Sequence, residues 1–210
     1  LLSGDSEAEL DGRGSFQEMD QVQITSALTK FSGRVKKTKN LLPVASKAIN
    51  LAKDGIPGPI HLAIAADILA DDLDNGISDL KQVHEVAENP LEPSVKLVKS
   101  IASAKKPLII VGPFFGMPSH RDKLKKIENQ LNIPVVLMES PRGFNDPRLG
   151  NIKSMLRLAD LIIVVGKPVD FTLSYGSPET FKQDTDWFVY IGSDALLKKA
   201  RSNLGNRLKE

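Results

Sequence analysis

PLIIVG (107–112), PVVLME (134–139), LIIVVG (161–166) and WFVYIG (187–192) decide the fold. Each is a short aliphatic or aromatic run, and successive runs begin about 27 residues apart, the repeat of strand–helix units. Runs that are continuously apolar, rather than alternating, suit strands covered on both faces of a parallel sheet. Helical patterns fill the gaps. In SHRDKLKKIENQLN (119–132), Leu124, Ile127 and Leu131 fall on one face, and in NIKSMLRLAD (151–160), Ile152, Met155, Leu156 and Ala159 make an amphipathic stripe. PSVKLVKSIASAKK (93–106) precedes the first strand and DALLKKARSNLG (194–205) follows the last. Residues 93–210 therefore read as a doubly wound, Rossmann-like α/β domain with a parallel sheet.

The chain ahead of it reads differently. LLPVASKAINLAKDG (41–55) is an amphipathic helix with Leu42, Ala45, Ile49 and Ala52 inward and Gly55 as its cap. IPGPIHLAI (56–64) supplies a turn and a strand near Pro59 to Ile64, and Leu1–Leu2 resemble the tail of a further apolar strand. Residues 71–92 are polar and acidic, as an interdomain linker is. One full strand, one helix and a loop cannot bury a core alone, so residues 1–70 are expected to be the incomplete end of another α/β domain.

Composition excludes several functions. The 28 basic and 26 acidic side chains leave a formal charge of +2, so no nucleic-acid-binding field exists. No apolar run reaches the roughly 18 residues that span a bilayer. A cytoplasmic protein is expected. With no cysteine there is no disulfide or thiolate chemistry, and His61, His84 and His120 are too scattered for a metal site. His61, on a short apolar strand, reads as a hydrogen-bonded core histidine.

Ligands of an open α/β sheet collect at the carboxyl ends of its strands. Those ends carry Gly112 to Gly116, Arg142, Gly166–Lys167 and Asp194. Gly112, Gly116 and Gly166 would let a backbone approach a phosphate, Arg142 and Lys167 would neutralise it, and Asp194 would bind a ribose. Structural turns are the competing reading, because neither G-x-G-x-x-G nor a Walker sequence is present. The missing dinucleotide fingerprint also argues against an NAD-dependent oxidoreductase.

Two stretches carry a resemblance. GRGSFQEMDQVQITSALTKFS (12–32) and GIPGPIHLAIAADIL (55–69) resemble the closing part of the pyrimidine-binding domain in thiamine diphosphate-dependent enzymes of the acetolactate synthase, benzaldehyde lyase and oxalyl-CoA decarboxylase group. These share a G-[AS]-F-Q-E loop and a later G-x-P-G-P-[VI]-H-L ending. Residues 107–194 then resemble the family's central domain, which holds FAD in some members and ADP in others.

The resemblance implies a lyase or synthase that uses thiamine diphosphate and Mg2+. It attacks a 2-keto acid or acyl donor through a cofactor-bound carbanion, in a homodimer or homotetramer. It also places Phe16 and Gln17 at the active site, facing a partner subunit. The family's activating glutamate and its GDG magnesium motif have no counterpart in this sequence. The 210 residues are therefore expected to be a middle slice of an enzyme, inactive alone. The GPFFG loop (112–116) lacks the glycine-rich tract of FAD-binding relatives, which puts ADP or an empty crevice ahead of FAD. The alternative from another class is a free-standing nucleotide-binding or regulatory module, which would have no use for the FQE loop.

Overall fold

A computed structural model describes residues 1–16, 18–72 and 94–209. Most of the expected linker (residues 73–92) and Gln17 lie outside the described residues. The chain forms two compact units, Leu1–Pro90 and Leu91–Glu210.

The first unit holds a three-stranded parallel sheet of β1 (Leu2–Asp5), β2 (Phe31–Val35) and β3 (Ile60–Ala65), in the order β1-β3-β2. Helix α1 (Gln21–Ser26) packs on β2 and β3, α2 (Leu41–Lys53) packs on the same two strands, and α3 (Ala66–Ala70) follows β3. Sequence reading expected one full strand here and missed β2. FSGRV hides its strand character behind a glycine and an arginine, and Arg34 is tolerated because Asp5 lies 2.6 Å from its Nε. The inward stripe of α2 also differs. Leu41, Val44 and Ala48 face the core with Val35, Ala65 and Ile68, whereas Ile49 is exposed. Two apolar stripes run along this helix about 100° apart, and the sheet takes the one starting at Leu41.

The sheet's two faces differ in kind. In the observed register Ser3 pairs with Ala63, Asp5 with Ala65, Ser32 with His61 and Arg34 with Ala63. Side chains alternate along strands, so Ser3, Asp5, Ser32, Arg34 and His61 share one polar face. Val35 and Ile64 lie on the apolar one.

The second unit has the expected doubly wound form. Strands β4 (Pro107–Val111), β5 (Val135–Leu137), β6 (Leu161–Val165) and β7 (Asp186–Tyr190) are all parallel, in the order β5-β4-β6-β7. Leu108, Ile110, Ile162 and Val164 pack with α6 (Ile152–Leu158) and α7 (Asp194–Leu204). Ile109, Val111, Leu161 and Ile163 pack on the other side, with Leu97 and Ile101 of α4 (Val95–Ser103) and Leu124 of α5 (Pro118–Leu131). Both faces are covered, which explains the unbroken apolar runs. Not every expected inward residue is buried: Ile127, Leu131 and Met155 stay partly open.

Ile162 and Trp187 are both 0% exposed. Ile162→Ala should lower the stability of this unit by about 2–5 kcal/mol. Denaturant unfolding followed by fluorescence of Trp187, the single tryptophan, checks this; a midpoint unchanged from the parent would remove Ile162 from the core.

Candidate functional site

Parallel sheets present their ligands' sites at the carboxyl ends of the strands, and each unit has such an end. In the first unit, the segment from Gly12 to Asp20 lies between β1 and α1. It is a closed loop. The Glu18 carboxylate accepts backbone N–H groups from Gly12 (2.5 Å), Gly14 (2.9 Å) and Ser15 (3.0 Å). Gly12 and Gly14 both have φ of 75°, which turns their N–H groups toward one point as a side-chain-bearing residue would not without strain. These bonds, with that from Gly12 foremost, hold the Glu18 carboxyl below its ordinary pKa. Asp20 then caps α1 by accepting the N–H of Gln23 at 2.8 Å.

The closed loop displays Phe16 with 87% of its surface exposed. Met19, Ile24 and Leu28, which follow it, are exposed as well. An apolar side chain at the tip of a loop fastened by its own carboxylate is held out at an ordering cost already met inside the loop.

Beneath the loop, Arg34 reaches Asp5, donates from Nη1 to Asp11 at 2.5 Å and from Nη2 to the Ser6 carbonyl at 2.8 Å. Lys36 reaches the other oxygen of Asp11 at 2.6 Å. Lys36 and Arg34 together hold the Asp11 carboxyl below its usual range. A cavity of about 360 Å³ opens here, bounded by Asp5, Asp11, Glu18, Asp20, Arg34 and Lys36 among others. Among the described residues, no group of three or more His, Cys, Asp or Glu side chains could hold a metal ion.

In the second unit the winding reverses about β4, between β5 and β6. Gly112 ends β4 and Gly166 ends β6, and the two loops meet directly. A Cβ on Gly112 would overlap the Gly166 carbonyl, one on Gly166 would strike the Phe115 ring, and one on Gly116 would overlap the Glu139 carboxylate. The space that these glycines leave is taken up by protein. Phe114, Phe115 and His120 stack there, with centroids 4.8 Å apart for Phe114 and His120.

Lys167 lies beside this contact and is only 5% exposed. Burial lowers its pKa, opposed by the charge of Asp170. Arg142, on the loop after β5, and Asp194, the first residue of α7 after β7, are both exposed. Those strands are three spacings apart, about 14 Å. The structure thus groups Gly112, Gly166 and Lys167 at the centre, sets Gly116 against Glu139, and leaves Arg142 and Asp194 at the two flanks.

Sequence reading missed Glu18 as the loop's fastener and Arg34 as the centre of an ion-pair cluster. The signal for the first was present: glutamate three to six residues after serine and glycines is a spacing at which a carboxylate can gather N–H groups.

Residues 95–203 match the family model described as thiamine pyrophosphate enzyme, central domain. Curated relatives cover more of the chain. A 2-hydroxyacyl-CoA lyase of Arabidopsis thaliana is 26% identical over 219 residues, covering 98% of this chain and 38% of that protein. The 2-hydroxyacyl-CoA lyase 1 of Homo sapiens is 28% identical over 220 residues, again with 98% of this chain and 38% of that protein covered. The 2-hydroxyacyl-CoA lyase 2 of Xenopus laevis is 28% identical, covering the whole chain and 41% of that protein. The chain thus spans about two-fifths of the length of these relatives. Among the described residues no helix is long and apolar enough to cross a membrane.

Two outcomes follow from the electrostatics. Glu18→Gln should raise amide exchange at Gly12, Gly14 and Ser15 without a change in the second unit; unchanged exchange would mean that the carboxylate does not fasten the loop. Asp146, bonded by the Arg148 guanidinium and backbone, has its pKa lowered from 3.8 to about 2. A depressed carboxylate stabilises above its unfolded pKa, so this contribution should be complete above about pH 4 and fade as pH falls toward 2. Acid titration of the wild type against Asp146→Asn checks it, since the variant should lose stability at neutral pH and converge with the wild type near pH 2.

Proposed function

This chain belongs to the thiamine pyrophosphate enzymes through its central domain, and on that premise we propose that it serves in a thiamine diphosphate-dependent carbon–carbon lyase of the 2-hydroxyacyl-CoA lyase kind. The observation that carries this reading is the reach of the similarity: alignments to those lyases run over 98% of the chain and so take in both the Gly12–Glu18 loop and the second unit. The substrate class is then a 2-hydroxyacyl-CoA thioester, a narrower reading of the 2-keto acid or acyl donor that the family resemblance implies. Thiamine diphosphate, when bound, supplies the stabilisation of the carbanion left by carbon–carbon cleavage. The family's activating glutamate and its magnesium motif have no counterpart in this sequence, so thiamine diphosphate and its Mg2+ would be held by other parts of a longer enzyme.

The part assigned to this chain is to present and position. The fastened loop offers the exposed Phe16 to the reacting groups as an apolar contact, and by the family resemblance Gln17 would be a polar one. The exposed residues Phe16, Met19, Ile24 and Leu28 are the surface that a second subunit would cover in a homodimer or homotetramer. By itself the chain would be inactive.

The test is to assay the longer polypeptide that contains these residues with a 2-hydroxyacyl-CoA, thiamine diphosphate and Mg2+. Thioester consumption that requires both cofactors and falls by about ten-fold or more in Phe16→Ala supports the reading. Turnover of 2-keto acids alone, or none of either, would overturn it.

A second reading concerns Lys167, supported by its burial at the reversal point of the sheet, where the charge of Asp170 only partly offsets the cost of its own. An ammonium so placed favours an anion, and an adenine nucleotide such as ADP is the ligand proposed, ahead of FAD. On their opposite flanks, Arg142 would be offered to that ligand's phosphates and Asp194 to its ribose. Calorimetry with ADP should give binding that Lys167→Met weakens by about ten-fold; no heat at millimolar ADP would leave these loops as structural turns.

A further inference from the structure

Each of the three strands of the first sheet, together with α1, contributes to one buried network around His61. The imidazole is 1% exposed. Its Nε2 lies 2.8 Å from Ser3 Oγ of β1. Its Nδ1 lies 2.8 Å from Thr25 Oγ1 of α1 and 3.0 Å from Ser32 Oγ of β2. Those two hydroxyls are 2.7 Å apart.

The protons on the surrounding groups favour one state of the ring. The Gln21 amide donates from Nε2 to the Gly4 carbonyl at 2.9 Å, so its Oε1 is the atom that faces Ser3. Ser3 Oγ donates its single proton to that oxygen at 2.6 Å. Ser3 can then only accept from His61, and Nε2 must carry a proton. On the other side Nδ1 has two hydroxyls in reach, Thr25 Oγ1 at 2.8 Å and Ser32 Oγ at 3.0 Å, and Ser32 can pass its proton to Thr25 while Thr25 donates to Nδ1. Burial lowers the ring's pKa and so favours this neutral form, with its proton on Nε2.

The members of this network are not spread evenly over the fold. Gln21 and Thr25 sit on α1, whose cap Asp20 is the last residue of the Gly12–Asp20 loop. Few other groups hold α1: the exposed Ile24 contributes little, and no residue of the helix is fully buried. The other end of the loop is held by Asp11 on Arg34 and Lys36. Loss of the imidazole would leave the hydroxyls of Ser3, Thr25 and Ser32 without their common partner, and the helix would lose a polar attachment to the sheet that the bonds of Gln21 to Ser3 and Gly4 do not replace.

We propose that His61 is a positioning residue: as the neutral Nε2–H imidazole it joins Ser3, Ser32 and Thr25 and so sets α1, and the loop that runs into it, in place on the sheet. That this positioning serves catalysis rests on the reading of the loop as part of an active site; the attachment itself does not.

Three variants of the chain test it by hydrogen exchange and NMR. The wild-type His61 ring should show a protonated Nε2 and a bare Nδ1 in nitrogen chemical shifts at neutral pH. His61→Leu should raise exchange of the α1 amides, Ile24 among them, by about ten-fold. The β2–β3 ladder and the second unit should be unmoved. His61→Gln, which can still donate to Ser3, should restore part of the protection. Ser3→Ala tests the same link without altering the buried ring, and should raise α1 exchange if His61→Leu fails to fold.

A proton on Nδ1 instead, or exchange raised equally across the whole first sheet, would overturn the proposal. So would unchanged α1 exchange in both His61→Leu and Ser3→Ala. If exchange responds as expected while turnover of the longer enzyme is unaffected by Ser3→Ala, positioning stands and the active-site reading of the loop falls.

Discussion

A parallel sheet has to be covered on both faces, and the two units of this chain meet that constraint by different chemistry. In the second unit both faces are aliphatic, with α4 and α5 over one and α6 and α7 over the other. In the first unit one face is apolar and the other carries Ser3, Asp5, Ser32, Arg34 and His61. A polar face can be covered only if its groups are paired, since a buried donor or acceptor left without a partner costs about 1–3 kcal/mol. The pairing comes from α1 and from Asp11, and these are the segments at the two ends of the Gly12–Asp20 loop.

The loop's character follows from that arrangement. Its internal fastening by Glu18 leaves the tip free of tertiary work, so Phe16 can stay exposed without the loop collapsing onto it. A segment built in this way is suited to contact something outside itself. The 2-hydroxyacyl-CoA lyases to which the chain is similar give that contact a chemical setting.

Much of the second unit was legible in its sequence, because strands buried on both faces reveal themselves as unbroken runs, and LIIVVG and PLIIVG leave no other assignment. The first unit was less so. FSGRV carries a glycine and a charge that only Asp5 and Asp11 explain, and those acids are far from it in sequence. The stripe on α2 could be read two ways from periodicity, and only the sheet decides between Leu41 and Leu42. At the candidate sites, residue types were visible but their company was not. Gly112 and Gly166 looked like openings and are filled by each other's loops and by Phe115. Lys167 and Arg142 looked alike as cations that could neutralise a phosphate, yet only Lys167 is buried. His61 reads correctly as a hydrogen-bonded core histidine, but the identity of its partners depends on three strands that only the fold brings together.

The most direct measurement is a crystal structure of the longer enzyme with thiamine diphosphate and Mg2+ bound. Contact between the Gly12–Glu18 loop and the cofactor or substrate, within about 4 Å for Phe16 or Gln17, is the expected result. A loop that faces only solvent in that complex would contradict the assignment of this chain to the catalytic site.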